Sequence, residues 1–468
     1  MNIKRSINLL FVLLVVLSGW SRTAAAQPAP GVLDNYIEMG LKGNLALKQQ
    51  EFSLEKSLQA LREARGMFFP SVSIEVRYSR AGGGRVIDMP IGDLVNPIHN
   101  TLNQLLIAHG FSPVFPGNIP NEHIPFLRET EQESKLRIVQ PVFQPAIYYN
   151  LKIKTDLSGI ERARLKVFKR QLVEDIKSAY YTYLKTLEIK KLLDNTRVLL
   201  AENLRISESL FRNHKVTEEV VFRSKAELSK LDQQLSEAEK NNCLSASYFN
   251  FLLNRPMDTE IEVEEGEAKP GLTEYNLEIL TNRALAHRGE FEQLRGAIAA
   301  ARHTANLHGA GLLPTVSAVF DYGVQGENFS FSGKDDYWMG SVLLSWNVFK
   351  GGQDAAKKKQ AQYEGNRLQT QYDELENQIR LQVKEAFLNL DVAKKTIISN
   401  EDTLKSQEEA FSIVTKKYEQ GMVPQIEYIK AQNDYTSAGI AHIIAGYDYY
   451  IKEAQLERVS ALRGWERP

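Results

Sequence analysis

The feature that most constrains this chain is an internal duplication. Ile176-Lys177-Ser178-Ala179-Tyr180-Tyr181 matches Val383-Lys384-Glu385-Ala386-Phe387-Leu388 at an offset of 207 residues. The same offset aligns Phe211 with Tyr418, Val216 with Val423 and Leu228 with Tyr435, and sets His214 opposite Gly421. Upstream, Phe69-Pro70-Ser71-Val72 matches Leu313-Pro314-Thr315-Val316, and strand-like segments end at Val142-Phe143 and Val348-Phe349. Solenoid repeats have periods of roughly 20–50 residues, so this is one duplicated unit. Its order is helix, strand, loop, strand, long helix, turn, helix.

The strands alternate. Val72, Ile74, Val76 and Tyr78 point one way, and Ser73, Glu75 and Arg77 the other. In the second copy Trp338, Val342, Leu344, Trp346 and Val348 share a face, and Ser341, Ser345 and Asn347 share the opposite one. One greasy and one polar face fit an edge strand on a soluble core. They fit equally a membrane barrel strand, apolar toward lipid and polar toward a watery lumen. In the second case Tyr78, Tyr337, Trp338 and Trp346 suit the lipid interfaces.

The helices constrain more. Gly351-Gly352 ends a strand, and helices are expected over 146–212 and 352–420. At a rise of ~1.5 Å per residue each reaches roughly 100 Å, and neither stretch holds an interior proline. Turns at Asn213–Thr217 and Gly421–Pro424 send the chain back along arms expected at 217–252 and 425–462. In the first of these Leu228, Leu231, Leu235, Ala238, Ser245, Phe249 and Leu252 follow coiled-coil spacing, with Asn242 in the polar gap. The return arms are about half as long as the outgoing ones. The helices expected before each first strand, 34–67 and 273–312, have the missing length. Each is expected to stack end to end with a return arm, forming a cylinder wall of about 100 Å.

Residues 1–26 read as a signal peptide. Lys4 and Arg5 precede an apolar run from Ile7 to Leu17, and Ala24-Ala25-Ala26 precedes Gln27. The run is shorter than the ~20 residues of a membrane span. No later stretch is long and apolar enough for a transmembrane helix, which leaves strands as the route into a membrane. The single cysteine, Cys243, excludes a disulfide within the chain and reads as a buried small residue on a helix. A formal charge of -1 argues against a broad nucleic-acid surface. The run Lys357-Lys358-Lys359 reads as a solvated helix face. Histidines are scattered, and His303 and His308 fit one helical face poorly. No HExxH zinc motif or phosphate-binding loop appears. No catalytic residue, metal site or cofactor is expected, and the chain is not expected to be an enzyme.

On these residues the chain resembles the TolC-like outer-membrane efflux proteins. The resemblance spans about residues 30–465. It rests on the duplicated order and on the junction Leu344-Ser345-Trp346-Asn347-Val348-Phe349-Lys350-Gly351-Gly352. It rests also on the tip Lys417-Tyr418-Glu419-Gln420-Gly421, followed by Glu427-Tyr428-Ile429-Lys430-Ala431. It implies a mainly α fold with a small β part, built as a duplicated strand–helical-hairpin unit. The implied assembly is a homotrimer in the Gram-negative outer membrane, with a β-barrel of about twelve strands continuous with a long periplasmic α-helical barrel. Four strands cannot close alone, so association would remove the sheet edges. The layout is an N-terminal extension over 27–33 and a first repeat over 34–252 with strands at 71–79 and 133–143. A linker over 253–272 leads to a second repeat over 273–463 with strands at 315–323 and 336–349. The implied function is the passive exit duct of a tripartite efflux or type I secretion system. Its partners would be a periplasmic adaptor, an inner-membrane pump of the RND or ABC type and outer-membrane lipid. A periplasmic adaptor and a non-pore coiled-coil scaffold are the alternatives, and the duplicated alternating strands disfavour both.

The resemblance puts a periplasmic gate at the hairpin tips. Tyr418 matches a tip tyrosine of the closing hydrogen-bond network, Gly421 makes the turn, and Glu427 falls where an acid rings the entrance. Val423 stands where some members carry an arginine, and Lys430 where a second acid is common. In the first repeat Val220 is equivalent to Glu427, with Glu218 and Glu219 beside it. Three copies of Glu427 would favour cations in a narrow pore, with Lys430 one turn away partly offsetting them. A solvated glutamate at a helix end is the plainer reading. Adaptor docking falls to Arg212, Lys215, Val216 and Thr217 in the first tip, and to Gly421, Met422 and Val423 in the second. The first connection between strands is long, holds Gly82-Gly83-Gly84 and several prolines, and is expected to contain a short helix over Leu94–His109. Such a loop is expected to cap or constrict the outer mouth.

Overall fold

The computed structural model describes residues 31–263, 271–329 and 333–462; the signal peptide expected over 1–26 lies outside the described residues. The first repeat contains α1 (Val32–Gly43), α2 (Leu45–Gly66), β1 (Ser71–Arg80), β2 (Val86–Met89), α3 (Ile91–Ala108), β3 (Glu122–Pro125), β4 (Thr130–Phe143), α4 (Pro145–Arg212) and α5 (Glu218–Leu252). The second contains α6 (Leu277–His287), α7 (Gly289–Ala310), β5 (Thr315–Gly326), β6 (Asp336–Ser345), α8 (Gln353–Glu419) and α9 (Gln425–Val459). The chain is mostly helical with a small sheet part. Two compact units divide it: Met1–Ser57 with Ser158–Ala297 and Arg367–Pro468, and Leu58–Leu157 with Ile298–Asn366.

The helical unit holds two equivalent cores. In one, Tyr36 and Ile37 of α1 pack with Ile176 and Tyr180 of α4 and with Phe249 and Leu252 of α5. The Tyr36 and Phe249 rings meet edge to face at 5.0 Å. In the other, Leu280 and Ala284 of α6 pack with Ile379 and Val383 of α8 and with Tyr449 and Leu456 of α9. Burial of each such side chain contributes about 1.5–3 kcal/mol. Between α4 and α5 the seam runs through Leu193 and Leu200 against Leu231 and Ala238, at coiled-coil spacing. Cys243 lies off that seam and is exposed, which corrects its reading as a buried residue.

The helices expected as single rods over 34–67 and 273–312 are each broken, at Asn44 and at Arg288. The two breaks are 244 residues apart, the same offset that relates Phe69 to Leu313. Asn44 works on both sides of its break. Its Oδ1 accepts from the Leu47 amide at 2.9 Å, capping α2. Its Nδ2 donates to the Leu252 carbonyl at 2.9 Å, satisfying the end of α5. In the second copy arginines do this work. Arg283 Nε donates to the Ala461 carbonyl at 3.0 Å beyond the end of α9, and Arg288 donates to the Glu290 carboxylate and to Gln382. Gly289 is needed because a Cβ there would stand 2.9 Å from Val167 on α4.

The four hairpin helices end alike. His214, Gly421, Asn254 and Ala461 follow α4, α8, α5 and α9 with φ of 57°, 71°, 54° and 53°. In each case the next amide reaches back five residues, as Lys215 to Leu210 at 2.9 Å and Met422 to Lys417 at 2.8 Å. This is the Schellman end of a helix. The residues pair at the 207-residue offset, so the duplication extends to backbone handedness.

In the other unit β1, β4, β5 and β6 form one antiparallel sheet in that order. Each repeat pairs its own two strands, β4 and β5 join the repeats, and β1 and β6 are the edges. β4 begins at Thr130, earlier than expected, and β6 ends at Ser345, so 346–349 lie beyond the ladder rather than in the strand. The first connection is ordered. β2 pairs with β3, and α3 runs over Ile91–Ala108 rather than 94–109. Asn96 and Asn103 of α3 each grip an extended segment by two hydrogen bonds, at Ile119 and at Phe115. The matching connection in the second repeat spans only 327–335.

Candidate functional site

Both hairpin tips are exposed turns. Arg212, Lys215, Thr217, Glu218 and Glu219 of the first are open to solvent, as are Gly421, Met422, Glu427 and Lys430 of the second; Val216 and Val423 are half-buried. Glu219 is paired with Arg223, one turn on. Glu427 and Lys430 form no ion pair with each other. Met422 and Ile426 add apolar surface to the second tip, and Phe222 to the first.

Tyr418 is turned inward. Its ring stacks on Tyr428 at 4.9 Å; Phe411 meets Tyr428 at a tilt and stacks in turn on Tyr435. Burial pushes the Tyr418 phenol up, and its hydrogen bond with the Asn203 side chain offsets part of that. The first hairpin and the second are therefore joined beside the tips. The joint extends to residues that the sequence did not single out. Gln425 is buried, and its Nε2 reaches Ser224 Oγ at 2.6 Å, Ser207 Oγ at 3.1 Å and Asn203 Oδ1 at 3.2 Å. Ser207 and Ser224 bond each other at 3.0 Å.

The physical signal for these residues was present. Leu193, Thr196, Leu200, Asn203 and Ser207 of α4 follow 3-and-4 spacing, as do Gln425, Ile429, Gln432 and Thr436 of α9, and all are buried. The seam that is apolar at Leu193 and Leu200 turns polar toward the tip. Gln432 sits in it with neither amide atom partnered. A polar residue at a seam position fixes register at a cost in stability.

The sheet has two unlike faces. Val72, Ile74, Val76 and Tyr78 of β1 share one with Leu136 and Ile138 of β4, Phe320 and Tyr322 of β5, and Trp338 and Val342 of β6. Large apolar side chains are open there; Ile74 is 78% exposed and Val342 75%. The opposite face holds a charge network. Arg137 grips Asp321 with Nε at 2.9 Å and Nη2 at 2.8 Å, and also reaches Glu75 at 3.2 Å. Glu133 accepts from the Tyr337 hydroxyl at 2.6 Å and pairs with Lys135 and Arg77. Arg137, Asp321, Glu75, Glu133, Lys135 and Arg77 thus each meet an opposite charge within the sheet. Among the described residues no group of three or more His, Cys, Asp or Glu could hold a metal ion, and no helix is long and apolar enough to cross a membrane.

Residues 280–461 match the family model for outer membrane efflux proteins. No curated protein matches the chain. Among solved structures, the chain is similar to the Campylobacter jejuni CmeC outer membrane channel, at a TM-score of 0.73 and 13% identity over 92% of this chain and 85% of that one. It is similar to the outer membrane protein VceC from Vibrio cholerae, at 0.72 and 14% over 92% and 95%. The open state of the Neisseria gonorrhoeae MtrE outer membrane channel gives 0.72 and 13% over 92% and 88%. At these identities the likeness is one of fold.

Proposed function

We propose that this chain, whose residues 280–461 match the outer membrane efflux protein family, is one protomer of a trimeric outer-membrane efflux channel. The observation that carries this reading is the sheet. A soluble sheet covers its apolar face, whereas this one leaves it open and satisfies its charges on the other side. Lipid against the first face and water against the second meet both demands. The free edges at β1 and β6 leave rows of backbone donors and acceptors unpaired, which hydrocarbon does not tolerate. Three copies that add β1 to the next copy's β6 close a barrel and leave no edge.

The helical hairpins would then extend into the periplasm as a passive duct. In this reading the energy for transport would come from an inner-membrane pump coupled through an adaptor. Docking falls to the exposed tips, Arg212 to Thr217 and Gly421 to Val423. The polar seam supports a gate at the same place. An apolar seam loses its burial energy when it parts, while hydrogen bonds such as those of Gln425 are exchanged for bonds to water at little net cost. The tip is therefore where the hairpins separate most cheaply. The loop over 81–129 would lie at the outer mouth as a constriction.

Purified protein in a planar bilayer is expected to conduct, with a cation preference that falls in Glu427→Gln. Protein that is trimeric by native mass but gives no conductance would sink the channel reading. An unchanged cation preference in the variant would remove only the Glu427 ring.

A further inference from the structure

The run Lys357-Lys358-Lys359 takes no part in the gate or in the charge network of the sheet. It lies in the first two turns of α8, which opens at Gln353. The lysines lie past the first turn, where the end dipole acts, so the dipole gives no reason for cations there. Helix stability therefore does not account for them. All three are exposed, and none has an ion-pair partner among the described residues.

The run has company within its own unit. The helical segments that adjoin the sheet, 58–66, 145–157, 298–310 and 353–366, hold eight Lys and Arg against four Asp and Glu, in a chain whose net charge is -1. Two of those acids are already engaged, Asp156 with His303 at 2.7 Å and Asp354 with Lys350 at 3.7 Å. Arg65 and Lys154, like the three lysines, have no carboxylate partner among the described residues. Between these cations and the apolar strand face comes an exposed apolar and aromatic band, with Phe69, Trp346 and Val348 open and Phe349 83% exposed. Along the chain the sequence is apolar strand, aromatic band, cations. A bilayer presents hydrocarbon, interface and headgroup in the same order.

We infer that this basic collar binds anionic phospholipid headgroups at the periplasmic leaflet of the membrane that the sheet enters. The inference rests on the outer-membrane reading above. The ammonium groups donate to phosphate oxygens, and the uncompensated positive charge complements the headgroup layer. A cation near an anionic surface contributes roughly a five-fold preference at low salt. That preference decays over about 10 Å at 0.1 M salt.

Full-length protein in detergent micelles, offered equal phosphatidylglycerol and phosphatidylcholine, is expected to retain several-fold more of the former by native mass spectrometry. The preference should fall most of the way to parity in K357Q/K358Q/K359Q. It should also weaken on raising NaCl to about 0.5 M, and millimolar inorganic phosphate should not displace the lipid. Lys240→Gln, on α5 in the other unit, should leave the preference intact. Equal uptake of the two lipids, or an undiminished preference in the triple variant, overturns the inference. A separate readout tests the reading beneath it: quenching of Trp338 and Trp346 fluorescence by brominated phosphatidylcholine, in a Trp20→Phe/Trp465→Phe background. Without quenching the membrane reading fails; with quenching and no headgroup preference, only the collar fails.

Discussion

At the scale of single residues, the charged pair at the second helix break has a defined pH signature. Arg288 is buried and holds Glu290 and Gln382. Burial alone would push the Glu290 carboxyl up, but the hydrogen bond and charge of Arg288 more than offset this and hold it below its ordinary 4.5. A depressed carboxyl stabilises the fold above its unfolded pKa, and that contribution is lost as pH falls through the folded value. Glu290→Gln leaves buried Arg288 without its counter-charge and is expected to cost about 3 kcal/mol at pH 7. Denaturant melts should show the deficit shrinking as pH drops below 4.5; a constant deficit would contradict the pair. At the tip, Gln425→Ala removes the hub of the polar seam, leaving the buried Asn203, Ser207 and Ser224 side chains without its amide donor and adding no large apolar side chain. It is expected to cost about 1–3 kcal/mol and to raise open probability in single-channel records. Tyr418 was legible because it belongs to a motif. Gln425, Asn203, Ser207 and Ser224 were not, because each looks like an ordinary surface polar residue until the seam spacing is followed to the tip. Cys243 was misread from the general tendency of cysteine to be buried. The spacing of Leu235, Ala238, Ser245 and Phe249 already left it off the packed stripe.

At the scale of elements, the repeat is written into helix ends as much as into helix faces. A Cβ added at Gly421 would meet nothing within 4 Å, so the φ of 71° is the only demand for glycine there. Gly421→Ala is expected to cost about 1 kcal/mol, and His214→Gly in the other tip to gain about 0.5–1 kcal/mol. Thermal melts of the two variants should therefore move in opposite directions. The long helices were legible from the lack of proline over 146–212 and 352–420. The breaks at Asn44 and Arg288 were hidden by a length argument that asked only for enough residues to fill a gap. Gly43-Asn44 and Arg288-Gly289 did carry a signal, since glycine beside a capping residue is how a helix restarts. Between the strands, α3 and the β2–β3 ribbon were only partly legible. Glycine and proline marked a loop there, and pairing across some 35 residues leaves no local pattern to read.

At the scale of the whole molecule, the duplication is unequal in one place. The offset between copies falls from 244 residues before the first connection to 207 after it, so the extra length sits in that connection. Only nine residues, 327–335, separate the paired strands β5 and β6, so two such strands can be joined without it. Deleting 82–125 is therefore expected to leave the sheet intact and to raise conductance; an unchanged conductance would mean the loop folds away from the mouth. The two-faced strands were legible from alternation alone. Which strands pair was not, because the joining of β4 to β5 brings together residues about 180 apart, and nothing local specifies the partner. The free edges at β1 and β6 have a consequence for inheritance. If three copies close as proposed above, a subunit blocked at β1 would still offer a sound β6, and would capture a normal neighbour and hold it in a ring that never closes. In a cell making both kinds of subunit, such a lesion would behave as dominant, whereas loss of the chain altogether would be recessive.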